Sequence, residues 1–257
     1  PLLVNLTNEK EATASVRMLR QYSVDGVIVA SSTLPPGFSK AFRDAGLPVV
    51  NSFGRYELMP EVHVLGIDDV ACGKLAAREL VARGYKSVAF MGGPIDATST
   101  QFRLKGFEEK LQSHSDVVCS HSFAQAYSYQ AGRIEMARLL EAGAHAEAYF
   151  CGDDVLSVGA LSAIADKGLR VPEDVGVIGV NNMEMAGWHN INLTTIHQPF
   201  AEIIQSSINL IVGLLADPKQ APEASLFPCT LVERSTLRPI VELTEKQAGA
   251  HQPKDRF

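Results

Sequence analysis

Short apolar runs alternate with helix-length amphipathic stretches along almost the whole chain. "LLVNL" (2–6) precedes "EKEATASVRMLRQY" (9–22), and "DGVIVA" (25–30) precedes "FSKAFRDAG" (38–46). "LPVVNS" (47–52) and "VHVLGI" (62–67) lead into "DDVACGKLAARELVARG" (68–84), where Leu75, Leu80 and Val81 share one face and Gly84 ends the helix. The same alternation continues through "SVAFMGG" (87–93) and "STQFRLKGFEEKLQ" (99–112), then "DVVCS" (116–120) and "SYQAGRIEMARLLEAG" (128–143). "EAYFCG" (147–152), "DDVLSVGALSAIADKG" (153–168) and "DVGVIGV" (174–180) complete it. Runs this apolar and β-branched, each followed by a helical pattern, predict strands of parallel sheets covered by helices on both faces.

One strand ends oddly. In "VPEDVGVIGVNN" (171–182) an apolar run meets two asparagines, Asn181 and Asn182. Asparagine favours turns for its own reasons. In a parallel sheet, however, the carboxyl ends of the strands are also where ligands bind. The polar stretch "TEKQAGAHQPKDRF" (244–257) reads as a frayed tail.

Composition narrows the function classes. With 257 residues, 46% of them hydrophobic, the chain can bury one large core or two smaller ones. No apolar run reaches the length of a membrane span. A net charge of −6 argues against a basic nucleic-acid-binding surface on these residues. Cys72, Cys119, Cys151 and Cys229 are far apart in sequence with no CxxC pair, which predicts reduced, mostly buried thiols of a cytosolic protein. There is no phosphate-loop motif, no G-x-G-x-x-G after a strand, no G-x-S-x-G elbow and no H-E-x-x-H, so neither a cofactor nor a metal is expected. Asp68–Asp69 and Asp153–Asp154 are adjacent pairs at helix starts. Adjacent helical residues point about 100° apart, so capping is the plain reading and an acid/base dyad is not. No enzyme is predicted.

The order of motifs nevertheless resembles one family. "GIDDVACGKLAARELVARGYKSVAFMGGP", "STQFRLKGF", "DDVLSVGALSAIADKGLRVPEDVGVIGVNN", "NLTTIHQPF" and "LVERSTLRP" are similar, in that order, to segments of the lactose/galactose-repressor family of bacterial transcription regulators. The resemblance covers residues 1 to about 240. It implies a two-lobed periplasmic-binding-protein-like (type I) α/β fold with three interlobe crossings, near Gly66, His197 and Phe227. The first lobe is expected over 1–65 plus 199–226 and the second over 66–197 plus 227–243. Relative to the family, the sequence lacks the helix-turn-helix head and the first strand–helix unit, so it is expected to be a partial chain.

The resemblance also assigns residues. Arg103 matches the ligand-clamping arginine, whose planar fork suits paired hydroxyls or a carboxylate. Ser99 lies one helical turn earlier, with a simple N-cap as its alternative. Tyr127 and Phe53 fall where apolar walls of the cleft are expected, with a core role as the alternative. Asp153 and Asn181 match a polar pair in the cleft, and Gln198 sits at a crossing. The family commonly has Asn where Asp153 stands and Asp where Asn181 stands, so the two residue types are exchanged here. The implied function is the effector-binding and dimerisation domain of a cytoplasmic repressor. A sugar or sugar derivative would control operator affinity through the absent head. A periplasmic sugar-binding protein of a transport system is the alternative, to be settled by the complete N-terminus.

Overall fold

A computed structural model describes residues 2–4, 12–31, 34–56, 58–143 and 145–240. The tail 244–257, and Asn5 and Leu6 of the first expected strand, lie outside the described residues. In chain order the elements begin α1 (Ala12–Gln21), β1 (Val27–Ala30), α2 (Pro36–Asp44), β2 (Val49–Ser52), β3 (His63–Ile67) and α3 (Asp69–Ala82). Next come β4 (Ser87–Gly92), α4 (Thr98–Leu111), β5 (Val118–Phe123), α5 (Tyr129–Glu141), β6 (Ala148–Cys151), α6 (Asp154–Asp166) and β7 (Gly176–Asn181). A short 3-10 helix (Glu184–Gly187), β8 (Thr195–His197), α7 (Phe200–Ala216), β9 (Ala224–Phe227) and β10 (Thr230–Val232) complete the chain.

Two sheets form. One is the parallel four-stranded array β1-β2-β3-β9. The other is six-stranded, β10-β8-β7-β6-β4-β5, parallel except for β10 against β8. Among the described residues the chain passes between the sheets after β3, after β8 and after β9.

Alternation along each strand explains why the runs are apolar throughout. Val88 and Phe90 of β4, Phe150 of β6 and Ile178 of β7 face one way, against Ala76, Leu80, Phe107 and Leu111 of α3 and α4. Their neighbours Ala89, Met91, Tyr149 and Val177 face the other way, against Met136, Leu156, Ala160 and Ile164 of α5 and α6. Both faces of the sheet are therefore buried, and both must be apolar. In the smaller sheet Val49 packs with Phe38, Phe42 and Val16 of α2 and α1. Val50 and Leu65 meet Ile203 and Leu214 of α7 on the opposite face.

Helices α3 and α4 touch through backbone. A Cβ on Gly106 would stand 2.0 Å from the Val70 carbonyl oxygen, and one on Gly73 would stand 2.0 Å from that of Arg103. This approach, possible only for glycine, sets Arg103 of α4 beside the start of α3.

Two expectations are corrected. Residues 2–4 are not a strand: Leu3 is 99% exposed and makes no ladder with β1. Strand β5 begins two residues later than "DVVCS" and runs through the polar "SHSF". As the edge of its sheet it is exposed over most of its length, so polarity does not end it.

Candidate binding site

The carboxyl ends of the strands in both sheets converge on a cavity of about 190 Å³. It is lined by Phe53 after β2, Ile67 at the end of β3, Asp69 of α3, Ser99 and Arg103 of α4, and Tyr127 after β5. Asp153 after β6, Asn181 of β7, and Gln198 and Phe200 after β8 close the ring. All seven residues named from sequence, Phe53, Ser99, Arg103, Tyr127, Asp153, Asn181 and Gln198, are thus brought to one place. A larger cavity of about 350 Å³ borders Ser39, Asn51 and Arg55. It receives contributions from fewer strand ends and none of the residues matched by motif.

Arg103 is 6% exposed. Its Nε donates to Asp69 Oδ1 at 2.7 Å and one Nη to the Gly152 carbonyl at 2.7 Å. Burial works against its charge, but the adjacent Asp69 carboxylate outweighs that and holds its pKa above the usual value. Its other Nη has no partner among the described residues and remains available to a guest.

Asp153 caps α6 by accepting from Val155 N–H at 2.7 Å, and its second oxygen accepts from Asn181 Nδ2 at 2.8 Å. Burial pushes the Asp153 carboxyl up, while the Val155 N–H, Arg103 and Asn181 oppose the shift. Ser99 is not a cap, since α4 is capped at Ala97; its Oγ lies 3.1 Å from the Tyr127 hydroxyl. That hydroxyl also meets Thr100 Oγ1 at 2.6 Å, which fixes the ring at the cavity edge. Phe53 and Phe200 form an apolar wall, ring centroids 5.2 Å apart and tilted by 53°. Gln198 is 5% exposed, and its side-chain amide has no partner among the described residues.

The backbone is strained here. Five described non-glycine residues have positive φ, and three of them, Phe53 (64°), Asn181 (109°) and Asn182 (54°), lie at or beside the cavity. Each costs of order 1–3 kcal/mol, and such strain persists where it aims side chains at a site. At Phe53 the turn closes onto β3: Phe53 N–H reaches the Leu65 carbonyl at 2.6 Å. Gly66 leaves room for it, because a Cβ there would stand 2.6 Å from the Gly54 oxygen.

Ile67 and Phe200 line the cavity but carried no signal of their own in the sequence; Asp69 stands out there only as half of an acidic pair read as capping, and the structure corrects that reading for Asp69. Asp68 takes the capping role at α3, accepting from Ala71 N–H at 2.9 Å, which frees Asp69 to face Arg103. Only the paired contact distinguishes the two acids.

The residues 77–237 match the model of the periplasmic binding protein-like domain. The HTH-type transcriptional repressor PurR of Salmonella paratyphi B is 30% identical over 234 residues, covering 90% of this chain and 68% of that protein. The chain belongs to the LacI family of transcription regulators. A LacI-family regulator from Enterococcus faecalis, solved with bound ribose, superposes with a TM-score of 0.77 at 25% identity, over 92% of this chain and 85% of that one. A transcriptional regulator CelR, solved with cellobiose, gives 0.77 at 26% identity, over 89% and 71%. As a LacI-family chain this is the effector-binding part of a transcription regulator and not a transport receptor. Among the described residues no helix is long and apolar enough to cross a membrane.

Proposed function

We propose that the cavity at the strand ends binds one small neutral polyhydroxy compound, a sugar or sugar derivative, as effector. The observation that carries this is the convergence on one cavity of the polar side chains Arg103, Asp153, Asn181 and Gln198, the last a residue only 5% exposed whose side-chain amide has no protein partner among the described residues. That amide can both donate to and accept from a guest hydroxyl. Around it stand the free Nη of Arg103, the Asn181 carbonyl and the Asp153 carboxylate, donors and acceptors in the mixture that adjacent hydroxyls require. Phe53 and Phe200 suit the apolar face of a sugar ring. Charge argues for neutrality: Asp69 already balances Arg103, and Asp153 adds a second carboxylate, so no lining cation is left for an anionic guest. The relatives solved with ribose and cellobiose support the same class.

In this reading the lobes are 1–65 plus 199–226 and 66–197 plus 227–243, and the guest draws them together. The protein acts in the cytoplasm and performs no chemistry on the effector. Its output passes to operator DNA through a helix-turn-helix head, a segment outside this sequence. Two copies associate through α7, whose Ile204, Ile208, Val212 and Leu215 form an exposed apolar stripe. The test is a thermal-shift screen with ribose, cellobiose, other neutral sugars, sugar acids and nucleosides. A true effector at 100 times its Kd adds about 2.7 kcal/mol to stability. A neutral sugar is expected to raise the midpoint; a response confined to sugar acids would contradict the assignment.

A further inference from the structure

The cavity of about 350 Å³ that borders Ser39 and Asn51 shares no lining residue with the effector cavity. Leu34, Pro36 and Ser39 reach it from the start of α2. Asn51 comes from β2 and Val64 from β3. The link between those two strands adds Arg55 and Glu61, with Pro60 and Val62 on either side of the acid. Thr98, the first residue of α4, closes it from the layer of the other sheet.

We propose that this cavity is a second ligand site, for an aliphatic α-amino acid. Its occupancy is independent of which sugar the effector cavity takes.

The lining divides by chemistry. Leu34, Pro36, Pro60, Val62 and Val64 make a saturated apolar wall with no aromatic ring among them. Such a wall suits a branched hydrocarbon side chain better than the face of a sugar ring. The charges are one of each sign, Arg55 and Glu61. A zwitterion can match both. A simple anion meets Glu61, and a simple amine meets Arg55, with like charge.

The neutral polar groups sort in the same way. Ser39 is 5% exposed and its hydroxyl has no partner among the described residues, so it can donate to a carboxylate. It stands in the first turn of α2, where the positive end of the helix dipole also favours a carboxylate. Asn51 is 4% exposed, and its nitrogen donates to the Val29 and Ser31 carbonyls at 3.1 and 3.0 Å. Its carbonyl oxygen is left to accept from an ammonium. Arg55 is steadied from the other layer, since its guanidinium lies over the Phe102 ring of α4, 5.7 Å from the centroid.

Helix α4 joins the two cavities. Thr98 lines this one, and its neighbour Ser99, on the same first turn, lines the effector cavity. An amino acid seated against Thr98 braces a turn that carries part of the effector site.

The test is calorimetric titration and thermal unfolding of the full chain with three matched probes. They are L-leucine, isocaproate (which lacks the ammonium) and isopentylamine (which lacks the carboxylate). Leucine is expected to bind at one site and to raise the unfolding midpoint saturably. Either analogue should bind roughly tenfold more weakly or worse, for loss of one charge-assisted contact. Arg55 and Glu61 are exposed, so Arg55→Gln and Glu61→Gln should fold normally and each weaken leucine roughly tenfold. Ser39→Ala should weaken it roughly threefold or more; if that variant folds poorly, the two exposed ones decide. Absence of saturable leucine binding, equal binding of isocaproate, or undiminished leucine affinity in Arg55→Gln or Glu61→Gln would overturn the assignment.

Discussion

Asp154 lies beneath the cleft, fully buried, where its two oxygens accept from Thr195 Oγ1 at 2.6 Å and Met183 N–H at 2.7 Å. It thereby holds the loop that follows Asn181. Burial pushes its pKa up to about 7, against the hydrogen bonds that favour the carboxylate. The unfolded chain gives up this proton near pH 4, as an ordinary Asp does. Between about pH 4 and 7 the native state binds more protons, so this residue's contribution is fully present below that window and is lost as pH rises through it. Asp154→Asn should remove up to about 1.4 kcal/mol per pH unit from the slope of stability against pH; denaturant titrations at pH 5 to 8 with unchanged slope would refute the shift. At the preceding residue, Asn181 donates to Asp153 at 2.8 Å, so the exchanged pair keeps one carboxylate and one amide in contact. Asp153→Asn and Asn181→Asp should each weaken effector binding by roughly 1–3 kcal/mol, and the double exchange should recover part of the loss. Strictly additive effects in calorimetry would show that Asp153 only caps and Asn181 only turns. The positions of Arg103, Asp153 and Asn181 were legible in the sequence because they fall within ordered motifs. The burial of Asp154 was not, since it depends on neighbours distant in the chain.

Among the elements, α3 and α4 decide the shape of the cleft. Their backbone contact at Gly73 and Gly106 places Asp69 and Arg103 together, and nothing else on α4 does so as directly. Gly106→Ala forces a methyl against the Val70 oxygen, and overpacking of this kind costs typically 1–3 kcal/mol. A lowered unfolding midpoint and weaker effector binding together are expected; a variant of unchanged stability would mean that the helices separate freely. The main βα alternation was readable because strands buried on both faces are apolar throughout. Where one face is open, as in β5, or where a short strand has no fully buried residue, as in β9 and β10, periodicity carries too little information.

At the scale of the whole molecule, two sheets share an apolar core that runs across the passages between them, from Leu65 and Ile67 to Cys72, Ala76 and Ile196. The cleft therefore lies over a continuous base. Self-association through the α7 stripe should appear as a dimer in sedimentation at micromolar concentration. If it forms, Ile208→Glu should abolish it, and a dimer indifferent to that change would place the interface elsewhere. The claim on which the rest depends is that the cavity around Arg103 and Gln198 is the effector site. Calorimetric titration of the chain and of Arg103→Ala with the neutral sugar that stabilises it most tests this directly. The account predicts saturable one-site binding that Arg103→Ala abolishes while its fold is retained; undiminished affinity in that variant would contradict it.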